Sequence, residues 1–306
     1  MPDQSHHAQA GEVIVIGGAN IDIKGRSHGG VIAATSNPGD VVTAVGGVGR
    51  NIAHNLALLG IDTALISFVG GDAYGERLRQ ETQSAGVVVS MLATGDQPTG
   101  VYLAILDHQG ELVSAISDMR SAEALNPEHL WPCAKRLAKA AMIIADCNIT
   151  VACLAWTVEF TRHHSVKLLI EPISVPKARK LLQLKNISAY AVTPNQSQLA
   201  ALGGLEGLHR LGFANVIAHE GKAGVTISDG RAAQHIAALP VDGVSDVTGA
   251  GDAAVAGLVC GLALGHDMAQ SARLGQAAAA LKIISHSSVA TAITRARMFA
   301  LAGVAS

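Results

Sequence analysis

The chain has 306 residues, which suits one large α/β domain or two modest ones. Hydrophobic residues make up 49% and charged residues 15%, so the chain can bury a substantial core and is not expected to be disordered. The formal net charge is −2 at pH 7 and no Lys/Arg-rich run occurs, which argues against a nucleic-acid partner and favours a small molecule.

The predicted elements alternate between strands and helices from the start of the chain. The β-branched run at 13–16 ends in two glycines and predicts a buried first strand. Apolar residues at helical spacing over 51–59, with Gly60 as the C-cap, predict the first helix. A strand over 63–69 and a helix over 74–84 follow.

The alternation pauses once, near residue 100. Two strand-like runs, 101–107 and 112–117, flank a short polar segment and predict a hairpin. A hairpin that interrupts a βα series is a candidate lid. We therefore predict one domain over 11–300, with a lid formed by inserted strands within about 30–45 and 98–120.

After the hairpin the alternation resumes. Asn126 and Pro127 resemble an N-cap and a first helical residue, which predicts a helix to about residue 140, and Thr150 can cap the next helix. Further strands are expected at 141–145, 168–172, 190–193, 216–219 and 224–228, and helices at 249–264 and 268–284. Such alternation is typical of a mainly parallel sheet covered on both faces.

The cysteine content and the hydropathy of the sequence indicate where in the cell the protein is expected. The cysteines are Cys133, Cys147, Cys153 and Cys260. They form no C-x-x-C pair, which disfavours zinc-ribbon and thioredoxin-like sites, and their sparse spacing indicates reduced thiols and a cytoplasmic location. The first ten residues lack an apolar core, so no signal peptide is expected. The apolar window 253–265 is shorter than the about 20 residues of a membrane span, so no membrane association is expected.

The sharpest local feature is the string Asp-Val-Thr-Gly-Ala-Gly-Asp at 246–252, which opens a predicted apolar helix. Small residues let the backbone approach an anion, and a helix N-terminus adds unpaired N–H groups and a positive dipole end. These features would stabilise a transferring phosphoryl group. Asp252 lies at the mouth of this helix, where it could take a proton from an incoming hydroxyl; alternatively, it only caps the helix.

Two other polar strings follow or precede predicted elements. The string Gly-Gly-Val-Gly-Arg-Asn at 46–51 lacks the spacing of a dinucleotide loop, and no G-K-[ST] of a Walker A loop occurs in the chain. It is either a tight turn with Asn51 as helix cap or a loop that admits a sugar held by Asn51. Asp22 follows the first strand, where α/β proteins bind ligands; it either binds two vicinal hydroxyls or belongs to a turn.

These three strings, in this order, resemble the PfkB, or ribokinase-like, carbohydrate kinase family. The resemblance spans 13–293, and the strings 46–51 and 246–252 resemble the two signatures of the family. Shorter strings at 37–39, 117–119 and 145–148 resemble the pseudouridine kinases of that family, and Val48 stands where ribokinases usually carry Lys. The resemblance implies a three-layer ribokinase-like α/β fold, with a mainly parallel central sheet and a small β lid. It also implies ATP-dependent phosphorylation of the 5′-hydroxyl of pseudouridine.

The resemblance further implies roles for individual residues. The catalytic base would be Asp252, and the anion hole would comprise Gly249, Ala250 and Gly251. The nucleoside would be bound by Asn20, Asp22, Gly46, Gly47, Asn51, Thr99, Tyr102, Asp118 and Asn148. The nucleotide would be bordered by Asn195, Glu220, Gly221, Gly224 and Thr248, with Mg²⁺ beside Asn195. A monovalent cation, expected to be K⁺, would be held by Asp246, Thr248, Ser285 and Ser287.

The chain departs from the family pattern at Gln198, where the family usually has the Glu of an Asn-x-x-Glu motif. We expect Mg²⁺ affinity to be weaker, or the metal requirement shifted. The alternatives are a kinase for another nucleoside or for ribose, and a catalytically silent nucleoside-binding regulator; a dehydrogenase is disfavoured by the missing dinucleotide fingerprint. An exposed lid sheet needs to be covered, so a homodimer through the lid is expected.

Overall fold

The computed structural model describes residues 11–241, 243–285 and 287–305. The strands are β1 (Val13–Ile16), β2 (Asn20–Ser27), β3 (Gly39–Gly46), β4 (Thr63–Gly70), β5 (Leu92–Gly95), β6 (Gly100–Leu106), β7 (Leu112–Asp118), β8 (Met142–Asp146), β9 (Lys167–Glu171), β10 (Ala189–Val192), β11 (Phe213–His219), β12 (Gly224–Ser228) and β13 (Ala233–Ala237). The α-helices are α1 (Val48–Leu58), α2 (Ala73–Ser84), α3 (Arg120–Ala124), α4 (Pro127–Leu130), α5 (Ala134–Leu137), α6 (Val151–His164), α7 (Val175–Ala178), α8 (Gln196–Ala201), α9 (Gly204–Leu211), α10 (Ala250–Ala263), α11 (Met268–Ile283) and α12 (Arg295–Ala302). Short 3₁₀ helices lie at Trp131–Cys133, Arg179–Gln183 and Gly221–Ala223.

Nine strands form the central sheet, in the order β13-β12-β11-β10-β9-β8-β1-β4-β5. Every neighbouring pair from β11 to β5 is parallel, whereas β12 is antiparallel to both of its neighbours. Parallel strands need crossover connections, which the intervening helices provide. The mainly parallel sheet predicted from the alternation is confirmed.

Apolar side chains cover both faces of this sheet. Along β1, Val13 and Val15 join the cluster that packs with α1, α10, α11 and α12, whereas Ile14 and Ile16 join the cluster that packs with α6. All four side chains are fully buried. Full burial of one such side chain stabilises the fold by about 1.5–3 kcal/mol. The helices thus form layers on both faces, and the predicted three-layer fold is confirmed.

A second, four-stranded sheet has the order β3-β2-β6-β7 and is named here the small sheet. Its β6 and β7 form the predicted hairpin. The segment that forms β2 follows the first strand, where the sequence analysis predicts only a turn or a ligand loop, although Asn20, Asp22 and Lys24 alternate with Ile21 and Ile23. This period of two is typical of a strand with one apolar face, and was the signal that the sequence analysis overlooked.

Two helix predictions are wrong in detail. Helix α1 begins at Val48 and its N-cap is Gly47, so Asn51 lies inside the first turn and is not a cap. Asn126 does cap a helix, but that helix ends at Leu130 and gives way to a 3₁₀ turn and the short α5. Pro132 explains the break, because proline lacks an N–H and its ring clashes with the preceding turn.

Candidate active site

The carboxyl ends of the parallel strands meet at one edge of the central sheet, and polar residues collect there. Gly17 and Gly18 follow β1, Asp146 ends β8, and Glu171 ends β9. Ligands of open α/β sheets bind outside this edge. The small sheet begins at the same edge, because only three residues separate β1 from β2.

Asp252 is buried, with 9% of its surface exposed, in the first turn of α10. The N-cap of α10 is Gly249, and no side chain caps this helix. Capping therefore does not account for Asp252. Its Oδ2 atom instead accepts a hydrogen bond of 2.9 Å from Nδ2 of Asn51. The two signature strings of the chain thus meet at the carboxyl group of Asp252.

Burial makes Asp252 a stronger base than an ordinary aspartate. Loss of solvation, reinforced by the negative charges of Asp146 and Asp22, raises the pKa of Asp252 to about 7, against the hydrogen bond from Asn51 and the charge of Lys282. A general base is most effective when its pKa lies near the working pH. The environment of Asp252 therefore suits proton abstraction from a hydroxyl group.

Asp146 holds the two glycine loops in place, a role that the sequence analysis did not assign. Its fully buried carboxylate accepts hydrogen bonds of 2.8 Å from the N–H groups of Gly18 and Gly49. A Cβ atom at Gly17 would lie 2.5 Å from Oδ2 of Asp146, so the loop must carry glycine for the carboxylate to fit. An acidic residue at the end of an otherwise apolar strand was the available signal.

On the small sheet, the predicted sugar-binding residues lie side by side. Nδ2 of Asn20 donates a hydrogen bond of 2.7 Å to Oδ1 of Asp22. A Cβ atom at Gly46 would lie 2.3 Å from the carboxylate of Asp22, so glycine leaves the space that this group occupies. Tyr102 pairs with Asp22 across β2 and β6, and the two side chains therefore share a face.

Burial, opposed by the hydrogen bond from Asn20, raises the pKa of Asp22 above its usual range. Lys24 of β2 lies 3.6 Å from the carboxylate of Asp246, so the small sheet and the loop before α10 border the same cleft. Asn51 belongs to that cleft through its bond to Asp252. Gly47, the N-cap of α1 with φ 96°, starts the helix that carries Asn51.

The other predicted nucleoside contacts differ in placement. Nδ2 of Asn148 donates to Asp146, and its Oδ1 accepts from Lys177, so this side chain lies at the strand edge. Thr99 is buried, and its hydroxyl donates to Asp72 at 2.7 Å, so its proton is committed within the fold. Asp118 is paired with Arg120 at 2.6 Å near the surface. The substrate roles of Thr99 and Asp118 stay predictions.

The loop before α10 has the features of an anion site. Gly249 has φ 81°, and a Cβ atom there would lie 2.1 Å from the carbonyl oxygen of Ser288, so only glycine fits. The N–H of Thr248 donates to Oδ1 of Asp246 at 2.8 Å, which shapes the turn before the helix. The hydroxyls of Ser285 and Ser287 lie 3.0 Å apart on the facing segment.

A cavity of about 600 Å³ adjoins this loop. Its lining includes Gly221, Gly224, Ala250 and Gly251, together with the apolar side chains Leu239, Pro240, Val241, Val244 and Val247. A mostly apolar pocket beside an anion site is suited to a flat base attached to phosphates. Glu220 does not line the cavity: its carboxylate accepts from Thr226 at 2.7 Å and pairs with His235.

Two polar residues that the sequence analysis missed also line the cavity. The Nε2 atom of His219 and the Oε1 atom of Gln276 are buried, and neither has a hydrogen-bond partner within the described residues. Burial lowers the pKa of His219 to about 4, so its ring is neutral. Buried polar atoms without partners are costly, so a ligand that pairs with them would be favoured.

Asn195 and Gln198 form the capping box of α8. Oδ1 of Asn195 accepts from the N–H of Gln198 at 2.9 Å, and Oε1 of Gln198 accepts from the N–H of Asn195 at 2.8 Å. Gln198 is 2% exposed, so its amide is part of the helix end. At the end of β9, burial raises the pKa of Glu171 to about 8, and the hydroxyl of Thr193 donates to its carboxylate.

The similarity of the chain to known proteins agrees with the arrangement of residues in the cleft. Residues 10–295 match the model of the pfkB family carbohydrate kinases. The chain belongs to this family. The match includes both signature strings and the strands of the small sheet, so it covers every element that borders the cleft.

Similarity to individual proteins indicates the type of kinase more closely. The chain is 36% identical to the pseudouridine kinase of Escherichia coli over 284 residues, which cover 89% of this chain and 90% of that protein. It is 34% identical to the E. coli sugar kinase YeiI, described as uncharacterized, over 90% of this chain and 78% of that one. The fold matches Arabidopsis thaliana ribokinase complexed with ribose and ATP, with a TM-score of 0.84, 20% identity, and coverage of 97% and 100%. The chain is therefore a sugar or nucleoside kinase that phosphorylates an alcohol group.

The hydrophobic helix α10 is buried in the core. Among the helices of the described ranges, none is long and apolar enough to cross a membrane.

Proposed function

We propose that this kinase transfers the γ-phosphoryl group of ATP to the 5′-hydroxyl of pseudouridine. The observation that carries the proposal is the position of Asp252. On the proposed acceptor side, Asn51 donates a hydrogen bond to Asp252. On the proposed nucleotide side, the preceding helix residues Ala250 and Gly251 line the cavity. The acid thus lies between a pocket for hydroxyl groups and a pocket suited to a nucleotide.

The proposed chemistry uses in-line attack by the acceptor hydroxyl. Asp252 in its ionised form takes the hydroxyl proton as the hydroxyl oxygen attacks the γ-phosphorus atom. The bond from that phosphorus to the β,γ-bridging oxygen breaks, and ADP leaves. The N-terminus of α10, with Gly249, Ala250 and Gly251, presents N–H groups and a positive dipole end to the transferring group. The hydrogen bond from Asn51 orients the carboxyl group of Asp252 toward the acceptor.

Mg²⁺ is expected with the nucleotide, where it would neutralise charge on the phosphates. It usually takes only one or two protein carboxylates and receives its other ligands from phosphates and water. Glu171 and Asn195 fit this requirement at the ends of β9 and β10, since Thr193 joins the carboxylate of Glu171 to the strand that precedes Asn195. Gln198 adds no charge there.

The acceptor is proposed to be a ribonucleoside. Asp22 and Asn20 lie together and can bind two vicinal hydroxyls, as on a ribose ring. Tyr102 shares the face of Asp22, and Asn148 lies against Gly18 at the edge of the central sheet; both would border the base. The identity to the E. coli pseudouridine kinase favours pseudouridine.

A second acceptor is favoured by a specific observation. The side chains of Thr99 and Asp118 are engaged with Asp72 and Arg120, so fewer polar groups are free to select a base. Together with the similarity to the sugar kinase YeiI, this favours another nucleoside or free ribose as the alternative.

The test is ADP production by the purified protein with Mg-ATP and pseudouridine, uridine, adenosine, guanosine or ribose in parallel. Turnover with pseudouridine at a kcat/KM at least about tenfold above the others supports the proposal. A higher kcat/KM for another acceptor would replace pseudouridine but keep the role of Asp252. Absence of ADP with all acceptors, in a protein that binds nucleosides in calorimetry, would favour the silent regulator.

We also propose that the small sheet mediates a homodimer. Val41, Ile105 and Ile116 lie on the face of this sheet opposite Asp22, and they are 71%, 37% and 66% exposed. An apolar face of this kind, with edge strands β3 and β7, is suited to a second copy of the same face. All four cysteines are free thiols, which fits the proposed cytoplasmic location.

A further inference from the structure

Lys282 of α11 has a fully buried side chain. Its ammonium group donates a hydrogen bond of 2.6 Å to the carbonyl oxygen of Asp246 and a longer one of 3.4 Å to that of Ser285. Lysine is almost never fully buried unless its charge is paired. The two carbonyls thus hold a positive charge inside the protein, next to the loop before α10.

These carbonyls belong to the two segments that meet around Gly249. On one side, the N–H groups of Ser245 and Asp246 donate to the carbonyl of Ile283 at 2.8 and 3.2 Å. On the other side, the carbonyl of Ser288 lies against Gly249. The ammonium group therefore joins the start of the anion loop to the end of α11, and its position sets how these segments lie relative to each other.

The same segments were expected to hold K⁺ through Asp246, Thr248, Ser285 and Ser287. The Lys282 ammonium competes with such a cation, because it already donates to the carbonyl oxygen of Asp246 on one of these segments. A second positive charge beside this buried group would be repelled. An ammonium ion and K⁺ have the same charge and similar size, so the lysine side chain can fill the place of the ion.

We propose that the Lys282 ammonium group is a built-in replacement for a monovalent cation, so that phosphoryl transfer by this protein does not depend on K⁺. Lys282 is a positioning residue: it orders the anion loop through Asp246 and contacts no substrate. The proposal rests on the proposed kinase activity, although any acceptor that the protein phosphorylates suffices to test it.

Charged groups around Lys282 act on its pKa in both directions. Burial lowers the pKa of Lys282, whereas the negative charges of Asp246 and Asp252 oppose this effect and Lys24 of the small sheet adds to it. Lys24 approaches the carboxylate of Asp246 at 3.6 Å, not its carbonyl. It is therefore a matched control: a nearby lysine that touches the same residue without occupying the carbonyl site.

The first experiment measures turnover in buffers that contain tetramethylammonium as the bulk cation. Wild-type activity should change less than about twofold when K⁺ is added. Lys282→Met should lose about 10–100-fold in kcat without K⁺, and K⁺ or NH₄⁺ should restore most of it. Lys24→Met should show no rescue by K⁺. Strong activation of the wild-type protein by K⁺ would overturn the proposal, as would full K⁺-free activity of Lys282→Met.

The second experiment needs no substrate and separates failure of this proposal from failure of the proposed function. The melting temperature of each protein is measured as K⁺ replaces tetramethylammonium. Wild-type protein and Lys24→Met should show no K⁺-specific shift, whereas Lys282→Met should be stabilised as the ion binds its vacated site. A K⁺-specific shift in the wild-type protein would overturn the proposal even if the Lys282→Met variant failed to fold.

Discussion

Asp252 combines two consequences of burial in one carboxyl group. The loss of solvation that raises its pKa to about 7 makes it a better proton acceptor, and it also makes its ionised form costly to the folded protein. Activity and stability therefore oppose each other at this residue. Substitutions here should separate the two effects.

Asp252→Asn should lower kcat by about 10²–10⁴-fold, because an amide cannot accept the hydroxyl proton. Nucleoside affinity should change little, since Asn20 and Asp22 bind each other on the small sheet and do not contact Asp252. Steady-state kinetics and calorimetric titration with the nucleoside measure the two quantities. Turnover close to that of the wild-type protein would rule out the assigned role.

The same variant should gain stability in a pH-dependent way. The folded-state pKa of Asp252 lies at about 7, above the 3.8 of an ordinary aspartate, so the folded protein holds the proton more tightly than the unfolded chain. The contribution of this group to the free energy of unfolding therefore falls as pH rises from about 4 to about 7. Asp252→Asn removes this pH-dependent decrease in the free energy of unfolding, because an amide side chain does not ionise.

Thermal denaturation checks that prediction. The melting temperature of Asp252→Asn should exceed that of the wild-type protein by more at about pH 8 than at about pH 5. Glu171, with a pKa of about 8, acts in the same direction. Because the charge of Asp252 is one of the causes that raise the pKa of Glu171, Asp252→Asn also reduces the loss of stability at Glu171, which increases the difference at high pH. An equal difference at both pH values would contradict the raised pKa of Asp252.

At the scale of the elements, replacing Gln198 of helix α8 by glutamate would keep the capping structure of the helix but add a negative charge. Gln198 closes the capping box with Asn195, and a glutamate at this position would accept the same backbone hydrogen bond. Gln270 occupies the equivalent position in the capping box of α11, with Asp267 as its partner. The capping geometry accommodates glutamate at both sites, although its charge is buried at position 198 and exposed at position 270.

Gln198→Glu should lower the Mg²⁺ concentration needed for half-maximal activity, because it adds a negative charge beside Asn195 at the edge proposed to hold the metal. Gln270→Glu should have no such effect, although it makes the same chemical change at the same helix position. The measurement is turnover at fixed nucleotide as free Mg²⁺ is varied. Equal Mg²⁺ curves for Gln198→Glu and the wild-type protein would place the metal elsewhere.

Much of the fold and part of the cleft could be predicted from local sequence. The β-branched run of β1 and the small residues before Asp252 could be assigned because a buried strand and a helix N-terminus are each indicated by adjacent residues in the sequence. Asp146 and Lys282 could not be assigned in this way. Their partners lie on other elements: Gly18 and Gly49 for Asp146, and Asp246 for Lys282.

At the scale of the whole molecule, the apolar face of the small sheet predicts association. The wild-type protein should elute as a dimer at micromolar concentration, and Ile116→Lys should be a monomer because a charge on this face is costly to bury. Leu182→Lys is the control, since Leu182 is 52% exposed but lies in a 3₁₀ helix outside the small sheet. Size-exclusion chromatography with light scattering measures the mass. A monomeric wild-type protein would refute the proposed dimer.

The hydrogen bond between Asn51 and Asp252 joins residues 201 positions apart. Arg295 adds a similar long connection, because its side chain donates to the carbonyl of Leu59 across 236 positions. During synthesis the ribosome releases the first signature loop long before the last, so a nascent chain holds Asn51 ready well before Asp252 emerges. A chain truncated before Asp252 therefore lacks the proposed proton acceptor, and we expect proteolytic loss of the last third of the chain to abolish activity.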